Sequence, residues 1–531
     1  MAFTSIYFLI FVLICVLVYY VTPIKWRWLV LLTASYVFYL LSSAGTLIFL
    51  IATTVVTFVG GILTGNLNTA HKEYMAAHKA ELTKEERKQK KNENQKKKRR
   101  IIVIALVIDF GILATLKYFR YYLGALGISL FDAGILIPLG ISFYTFQSAA
   151  YIFDIYRGNI QPDRNLLKFA LFTSFFPQII QGPISRHNQL AEQLYRGNAF
   201  DYNNLTRGAQ LILWGFFKKL IVADRVAVVC NEVFDGYDQY SGMIVLTALL
   251  FYTVQIYADF SGGIDIARGV AQCMGITMTH NFMRPYFSNS LSDFWNRWHI
   301  SLSHWCRDYI FYPVAMSKFF GKLGKNLRSV FCDRGGKLFP VIIAQYSTFI
   351  TIGLWHGAEF KYIAYGLYNG TIIVLGLILE PQLKSLMEKL HIEASSKWWK
   401  GFQIIRTFLI VMCGRVFPRA ASFTVALSMF FSIFRPDANG PFIETIASLG
   451  LTGSDYLILL ASCIIWFMIS LCEEREMRAN GGTGAEGFRL WLDQKPLAIR
   501  WAILIMGLAF VLALGVYGPG YDASAFIYRG F

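Results

Sequence analysis

The segment Phe294-Trp-Asn-Arg-Trp-His-Ile-Ser-Leu-Ser-His-Trp-Cys-Arg-Asp-Tyr309 places histidine, arginine, asparagine and aspartate side chains in a chain otherwise rich in apolar runs. A second histidine, His356, lies in Gly353-Leu-Trp-His-Gly357. Ionisable groups at membrane depth are rare and costly, and imidazole is suited to proton transfer near neutral pH. His299 and His356 are therefore the first candidates for chemistry.

Apolar residues dominate the 531-residue chain, which is 55% hydrophobic and 16% charged and has a mean hydropathy of +0.45. A soluble chain carries about a quarter charged residues, and a run of roughly 20 apolar residues crosses a bilayer. We therefore predict an all-α polytopic membrane protein with roughly a dozen membrane segments, some of them re-entrant because Gly and Pro interrupt them. The clearest runs are Phe3–Val21, Leu47–Thr64, Ile101–Leu116, Met243–Ala258, Ile342–Leu354, Tyr362–Leu379, Tyr456–Leu471 and Trp501–Val516.

The chain shows no internal repeat and no long Pro- or Ser-rich linker, so a single integral domain over residues 1–531 is predicted. Within it, residues 71–100 form a charged cytoplasmic insertion, residues 101–380 a motif-bearing core and residues 400–531 the C-terminal helices. No cleavable signal peptide is expected, because no Lys or Arg precedes the first apolar run. Positive charge follows that run instead, which places the N-terminus outside.

Residues 71–100 carry +7 of the net charge of +17, because they hold twelve Lys and Arg against five Glu. This pattern does not indicate nucleic-acid binding, because the segment falls on the side that the positive-inside rule makes cytoplasmic. Thr83-Lys-Glu-Glu86 fits a capping box and predicts the start of a solvated helix. We interpret the segment as a topogenic arm that binds lipid headgroups. A docking surface for an acidic cytoplasmic partner is the alternative.

Residues 293–309 have helical periodicity, and Ser292 is the predicted N-cap. On one continuous helix, two polar faces would flank an apolar stripe of tryptophans. One polar face offers an amide, an imidazole, a hydroxyl and a guanidinium, and it consists of Asn296, His299, Ser303 and Arg307. The other is interpreted as a structural salt-bridged edge, and it consists of Arg297, His304 and Asp308.

His356 lies between Gly353 and Gly357, whose missing Cβ atoms allow another backbone or a substrate to approach closely. On spacing alone, His356 is either a hydrogen-bonded core residue or a catalytic one. No carboxylate has the spacing of a zinc site with it, so no metal is expected, and no Gly-x-Ser-x-Gly elbow indicates a serine hydrolase. A histidine in this setting favours general-base chemistry on an incoming hydroxyl.

The eight cysteines show no paired C-x-x-C spacing, and most lie in apolar runs. Neither a disulfide framework nor a zinc site is predicted from them. Cys306, which is close to His299 in the sequence, is retained as an alternative covalent carrier of an acyl group.

Two long blocks resemble the membrane-bound O-acyltransferase family, in particular its bacterial alginate O-acetyltransferase-like branch. Phe294–Tyr309 resembles the family block W-x-x-W-H-I-S-L-S-x-W-x-R-D-Y, and Gly353–Gly370 resembles the block L-W-H-G-A…G-L-x-x-G. The likeness covers most of the chain, because further similar segments occur in the same order at residues 137–158, 176–190, 208–225, 257–287 and 525–531.

The resemblance implies a ring of transmembrane and re-entrant helices around a tunnel through the membrane. His356 takes the place of the family's catalytic histidine and His299 that of its second histidine. His299, with Asn296 and Arg307, would orient the thioester or stabilise the developing oxyanion, and Ser303 and Trp355 are further supporting residues. No cofactor is implied beyond a co-substrate, which is acetyl-CoA or another acyl thioester from the cytoplasm. The acceptor would be a hydroxyl of an extracytoplasmic polysaccharide or of a partner transferase, at a bacterial plasma membrane.

The chain departs from the family pattern at two places. Leu367-Tyr-Asn-Gly370 has no histidine where relatives often have one, and a basic loop to Arg334 replaces the Leu-Gly-Gly-Asn turn expected after Tyr312-Pro. Two other functions stay open. Asn296 is shared with the branch that transfers D-alanyl groups from a carrier protein to teichoic acids, and a non-catalytic transporter is the third alternative.

Overall fold

The computed structural model describes residues 1–119, 122, 138–179, 181–331, 333–437, 440–480, 487–518 and 521–522. Regular structure in these residues is helical apart from one isolated β-bridge between Phe282 and Trp298, so the all-α prediction is confirmed. The predicted aromatic tail at 525–531 lies outside the described residues, as do Cys332 and residue 137.

The α-helices are numbered in chain order. The first eleven are α1 Ile6–Val21, α2 Arg27–Ser43, α3 Leu47–Ala77, α4 Lys84–Ala114, α5 Ile141–Arg157, α6 Leu166–Ser174, α7 Phe176–Ile179, α8 His187–Arg196, α9 Tyr202–Phe216, α10 Asp224–Asp235 and α11 Gly242–Cys273. The others are α12 Leu291–Arg297, α13 Ile300–Cys306, α14 Tyr312–Ala315, α15 Lys318–Phe331, α16 Asp333–His356, α17 Phe360–Lys389, α18 Lys397–Gly414, α19 Val416–Arg419, α20 Phe423–Ser432, α21 Phe442–Ser448, α22 Gly453–Ala479, α23 Gly487–Asp493 and α24 Leu497–Leu514.

Eight helical stretches in the described part of the chain are long and apolar enough to cross a membrane, which makes this a multi-pass membrane protein. The first of them, Ile24–Ala77, contains both α2 and α3, and two shorter apolar helices, α1 and α20, accompany the eight. Counted with α2 and α3 as separate helices, these apolar segments are close to the predicted number of roughly a dozen. Several short helices, such as α6 and α7, occupy the Gly- and Pro-containing interruptions instead.

The chain divides into two compact units, one of residues 1–208 and 270–279 and the other of residues 209–269 and 280–531. In the first unit, α3 packs closely on its neighbours, because a Cβ atom at Gly61 would lie 2.8 Å from the Tyr151 ring of α5. The interruptions at 138–147 and 176–186 meet at buried amides. Gln147 donates to Phe172 O at 2.9 Å and accepts from Gln178 at 2.5 Å.

The charged insertion forms a helix that continues into the membrane. Thr83 and Glu86 form the predicted capping box, with the Thr83 N–H donating to Glu86 Oε2 at 2.8 Å and the Glu86 N–H donating to Thr83 Oγ1 at 3.3 Å. From Lys84, α4 continues without interruption through the basic residues into the apolar run that starts at Ile101. The solvated helix and the span are therefore one element.

In the second unit, the polar interruptions in the sequence pair with one another. The π-helical segment Phe217–Ala223 carries two buried lysines that face carboxylates of α11. Lys218 Nζ lies 2.5 Å from Asp265, and Lys219 Nζ lies 2.6 Å from Asp259. Buried charges are tolerated only when they are paired and hydrogen-bonded, so these two pairs explain why lysines and aspartates occur in apolar runs.

The predicted continuous helix over residues 293–309 is wrong. Ser290, rather than Ser292, is the N-cap of α12, because its hydroxyl accepts from the Asp293 N–H at 3.1 Å. The helix ends at Arg297, where Trp298 becomes extended and forms the bridge to Phe282. His299 then adopts a left-handed conformation with φ 45°, and α13 begins at Ile300. The predicted polar face of Asn296, His299, Ser303 and Arg307 requires one continuous helix through residue 299, so it does not form.

The predicted basic loop between Tyr312-Pro and Arg334 is also wrong. Residues Lys318–Phe331 form the helix α15, which is followed closely by α16. The two helices meet at small residues, because a Cβ atom at Gly324 would lie 2.5 Å from the carbonyl oxygen of Gly336.

Candidate functional site

His299 is held at the break between α12 and α13, and its side chain is buried. Its ring meets the Phe260 ring edge to face, with centroids 4.9 Å apart and an angle of 84° between the planes. A non-glycine residue at positive φ is uncommon and costs conformational energy, and such residues concentrate at functional sites. The break directs the imidazole towards the core of the second unit, which a continuous helix would not do.

Asn281 determines how the His299 ring is used. Its Oδ1 accepts from the Ser301 N–H at 3.0 Å and from the Ser301 hydroxyl at 2.9 Å. Its Nδ2 lies 3.1 Å and its Oδ1 3.3 Å from His299 Nδ1. The shorter contact, and the two bonds that Oδ1 already accepts from Ser301, favour donation from the amide NH₂ to Nδ1. This arrangement places the proton of the neutral ring on Nε2, where it can act as a hydrogen-bond donor.

Burial keeps the His299 ring neutral, because desolvation disfavours the imidazolium and lowers the pKa of His299 to about 3. A neutral ring with Nε2–H can donate to a developing oxyanion, but it is a poor proton acceptor through that same nitrogen. The geometry therefore fits the supporting role predicted for His299 better than the role of base.

His356 is the last residue of α16 and is also buried. The glycines on either side allow a close approach by α17. A Cβ atom at Gly357 would overlap the Tyr362 ring, and one at Gly353 would lie 2.5 Å from the Tyr362 carbonyl oxygen. Tyr362 in turn stacks on the imidazole, with centroids 6.3 Å apart and an angle of 18°. The close neighbour anticipated from the glycines is thus a helix of the same unit.

Trp355 brings the two histidines together. Its ring centroid lies 5.4 Å from that of His299 and 4.9 Å from that of His356, and both pairs meet edge to face. Residues that are far apart in the sequence therefore contact one buried indole. The prediction that His299, Trp355 and His356 belong to one site agrees with this arrangement.

Sequence reasoning missed Arg415, a buried arginine that lies between α18 and α19. Its guanidinium lies 4.2 Å from the centroid of the Trp298 ring, and its Nη1 donates to the Tyr365 hydroxyl at 3.0 Å. Tyr365 also meets the His356 ring edge to face at 5.7 Å. A signal was present, because an arginine in an apolar stretch is a functional candidate by default.

Three residues predicted to support His299 do not join it. Asn296 and Arg307 are exposed, and Arg307 forms an ion pair with Asp308 at 2.9 Å. The Ser303 hydroxyl donates to the Trp298 carbonyl at 3.3 Å, which is a local bond. The break at residue 299 changes the direction of every side chain after it, so these residues lost the shared face. Asn281 takes the supporting position that was assigned to Asn296.

The polar edge of this segment is built from other partners than those predicted. Arg297 pairs with Asp293 on its own helix and with the buried Glu474 of α22, both at 2.9 Å. Glu474 also pairs with Arg284 and Arg478. Asn369, which stands where relatives often have a histidine, accepts from the Trp295 indole at 3.2 Å. Asn369 therefore forms a structural hydrogen bond next to the site.

A cavity of about 430 Å³ lies next to the site in the second unit. Asn281 lines it and also binds His299. Aromatic and aliphatic side chains form most of the wall, and the cations Lys218, Arg268 and Arg284 are paired there with the carboxylates of Asp265 and Glu473. Such a lining suits a ligand that is largely apolar along its length.

A helical, multi-pass membrane protein in which two buried histidines contact one tryptophan next to a cavity is equipped for proton transfer and oxyanion binding. Residues 161–418 match the MBOAT, membrane-bound O-acyltransferase, family. The chain belongs to this family and is an acyltransferase.

Similar curated proteins include bacterial O-acetylases. The chain is 29% identical to the probable alginate O-acetylase AlgI of Azotobacter vinelandii, over 97% of this chain and 96% of that protein. It is 32% identical to the probable alginate O-acetylase AlgI of Pseudomonas putida, over 81% of this chain and 79% of that protein. It is also 30% identical to the teichoic acid D-alanyltransferase of Bacillus subtilis, over 52% of this chain and 67% of that protein.

Proposed function

We propose that this protein transfers an acetyl group from a cytoplasmic thioester to a hydroxyl of an extracytoplasmic polysaccharide or partner transferase, with His356 as the general base. The observation that carries the proposal is the shared contact of His299 and His356 with Trp355. A base and an oxyanion donor held by one rigid indole can act on the two reacting groups of a single acyl transfer.

In the proposed reaction, His356 removes the proton from the acceptor hydroxyl as its oxygen attacks the thioester carbonyl. The carbonyl carbon becomes tetrahedral, and its negative oxygen accepts a hydrogen bond from His299 Nε2–H. The carbon–sulfur bond then breaks, and the leaving thiolate takes the proton from the His356 imidazolium. General-base catalysis of this kind contributes roughly 10²–10⁴-fold.

The proposed donor is acetyl-CoA, whose acyl-bearing arm would occupy the cavity beside Asn281. The arm is slender and largely uncharged, while the nucleotide end carries phosphates. The aromatic and aliphatic wall of the cavity fits the arm. With the arm in this cavity, the thioester carbonyl would be presented to His299 through the segment that carries Asn281.

The orientation in the membrane is part of the proposal. With the N-terminus outside, the basic segment 71–100 faces the cytoplasm, as the positive-inside rule requires. The names of the relatives support a bacterial plasma membrane and a polymer acceptor. A D-alanyl donor on a carrier protein is the alternative, which the teichoic acid enzyme represents as a variant within the family.

The test uses the full-length protein purified in detergent and supplied with acetyl-CoA or a D-alanyl carrier thioester. Release of free thiol is followed with and without a polysaccharide acceptor such as alginate. We expect acetyl-CoA to be consumed and the D-alanyl thioester to be left intact. Consumption of the D-alanyl carrier thioester alone would show that the donor is the D-alanyl carrier protein and not acetyl-CoA.

The role of His356 is tested in the same assay with a matched control. We expect His356→Ala to lower kcat by at least about 100-fold, in keeping with the loss of a general base. His304→Ala removes a half-buried histidine of the neighbouring motif and should retain most activity. Near-normal transfer by His356→Ala, with an unchanged melting curve, would overturn the role of His356 as the general base.

A further inference from the structure

A second cleft lies in the first unit, far along the sequence from the histidines, where α3, α4 and the end of α5 meet. It has a volume of about 160 Å³. Asn68 of α3 donates to the Ile155 carbonyl at 2.7 Å. Lys98 of α4 donates to Asn68 Oδ1 at 2.7 Å and to the Tyr156 carbonyl at 3.3 Å. These bonds join three helices, so the base of the cleft is a fixed part of the fold.

The lining of this cleft is strongly basic. It includes Lys72, Lys91, Lys98 and Arg157 together with the imidazole of His71, and the described lining residues include no Asp or Glu. Lys98 compensates the carbonyl end of α5, where the helix dipole is negative. The other three cations are exposed and border one small space. Several cations around a pocket of this size match a phosphate group, which accepts charge-assisted hydrogen bonds from each of them.

The position of the cleft along its helices indicates which phosphate it meets. The apolar run of α4 starts at Ile101, so at about 1.5 Å per residue Lys98 lies roughly 4–5 Å beyond the hydrocarbon edge. Asn68 lies roughly 6 Å beyond Thr64, where the apolar run of α3 ends. The headgroup layer on each side of a bilayer is about 5–8 Å thick. The floor of the cleft, formed by Asn68 and Lys98, is thus at the depth of lipid phosphates. The backbones of Lys72 and Lys91 lie roughly 12 and 15 Å beyond the same edges, and their long side chains extend into the cleft lining.

We propose that this cleft binds the phosphate of an anionic phospholipid from the leaflet that faces the basic segment 71–100. The diffuse attraction of a basic segment for a charged surface is general. A bound lipid in this cleft would be a discrete site with named residues. The proposal does not depend on the acyl transfer proposed above, because its residues belong to the first unit and its readout is lipid retention.

The experiment is a lipid titration of the delipidated full-length protein in detergent, followed by native mass spectrometry. Phosphatidylglycerol is compared with phosphatidylcholine. We expect wild type to bind the first phosphatidylglycerol about tenfold more tightly than phosphatidylcholine. The triple variant K72Q/K91Q/R157Q should lose this preference, and Arg157→Gln alone should reduce it in part. Asn68 and Lys98 are left unchanged because they join the helices.

The matched control is K96Q/K97Q/R100Q, which removes the same charge from exposed residues of α4 that do not line the cleft. It should keep the preference within about threefold of wild type. An equal loss in both triple variants would show diffuse attraction and overturn the site. Displacement of the lipid by millimolar inorganic phosphate or coenzyme A would also overturn the proposal, because it would assign the cleft to a soluble phosphate.

Discussion

Replacing Asn281 with aspartate tests whether His299 acts as a hydrogen-bond donor. In the wild type, the contacts of Asn281 favour donation from its amide NH₂ to Nδ1, with the ring proton on Nε2. A carboxylate of the same shape can only accept, so it draws the ring proton to Nδ1. The N281D variant therefore keeps the acceptor for Ser301 and removes the Nε2–H donor of the neutral ring.

The expected magnitude follows from that one lost donor. Removal of a single oxyanion donor costs about 10²–10³ in kcat, so the N281D variant should lose activity by that factor at neutral pH. Its stability should fall less than that of Asn281→Leu. The leucine leaves two buried polar groups, on His299 and Ser301, without the Asn281 partner, at about 1–3 kcal/mol each.

The assay is the initial rate of acyl transfer over a range of pH, with wild type and variant measured in parallel. In the wild type, burial lowers the pKa of His299 to about 3, so the ring stays neutral throughout. A neighbouring carboxylate raises the pKa of the ring in the variant. As the pH falls towards that raised pKa, the neutral ring takes up a second proton. The imidazolium that forms again carries a proton on Nε2. The ratio of variant to wild-type kcat should therefore increase as the pH decreases.

Two results would refute this reasoning. A variant with wild-type kcat at every pH would show that the Nε2 proton is not used. A loss that is independent of pH, accompanied by a lower melting temperature, would show that Asn281 has only a structural role. The Asn281→Leu variant serves as the reference for pure structural damage, because it cannot be rescued by acid.

Three further predictions concern neighbouring features. Gly357→Ala should destabilise the protein by about 1–3 kcal/mol and lower kcat, because the added Cβ atom clashes with the Tyr362 ring. The control Gly376→Ala, which has open space around it, should leave the melting curve and activity unchanged. Glu474→Gln should cost about 3–5 kcal/mol in thermal unfolding, because three arginines lose a buried counter-charge; an unchanged melting temperature would contradict it. Cys306→Ala should retain transfer activity, because burial raises the pKa of the Cys306 thiol to about 12 and disfavours the nucleophilic thiolate. Loss of activity with the fold intact would support Cys306 as a covalent carrier of the acyl group.

The helical membrane fold could be predicted from the sequence because hydrocarbon thickness sets the length of an apolar run. The boundaries near Leu47 and Gly242 agree with the apolar runs for this reason. The break at His299 could not be predicted from periodicity. The apolar stripe of tryptophans continues through the segment, and the break is seen only in the structure, in the bridge between Phe282 and Trp298 and the left-handed backbone of His299.

The residues that support the histidines could not be predicted from sequence spacing either. Asn281 and Arg415 reach the site from segments 18 residues before His299 and 50 residues after Tyr365, so neither shares a helical face with a histidine. Sequence spacing reports neighbours within one element only. A buried polar side chain in an apolar stretch is a better indicator, since its partners must come from elsewhere in the fold.

Arg415 adds a fixed positive charge to a site whose chemistry proceeds through negative species. Its guanidinium lies on the Trp298 ring and binds the Tyr365 hydroxyl, and Tyr365 contacts His356. A nearby cation stabilises an oxyanion. In the proposed reaction, negative charge that develops on the thioester carbonyl would lie in a field that attracts it, which explains why a costly buried arginine is compatible with this site.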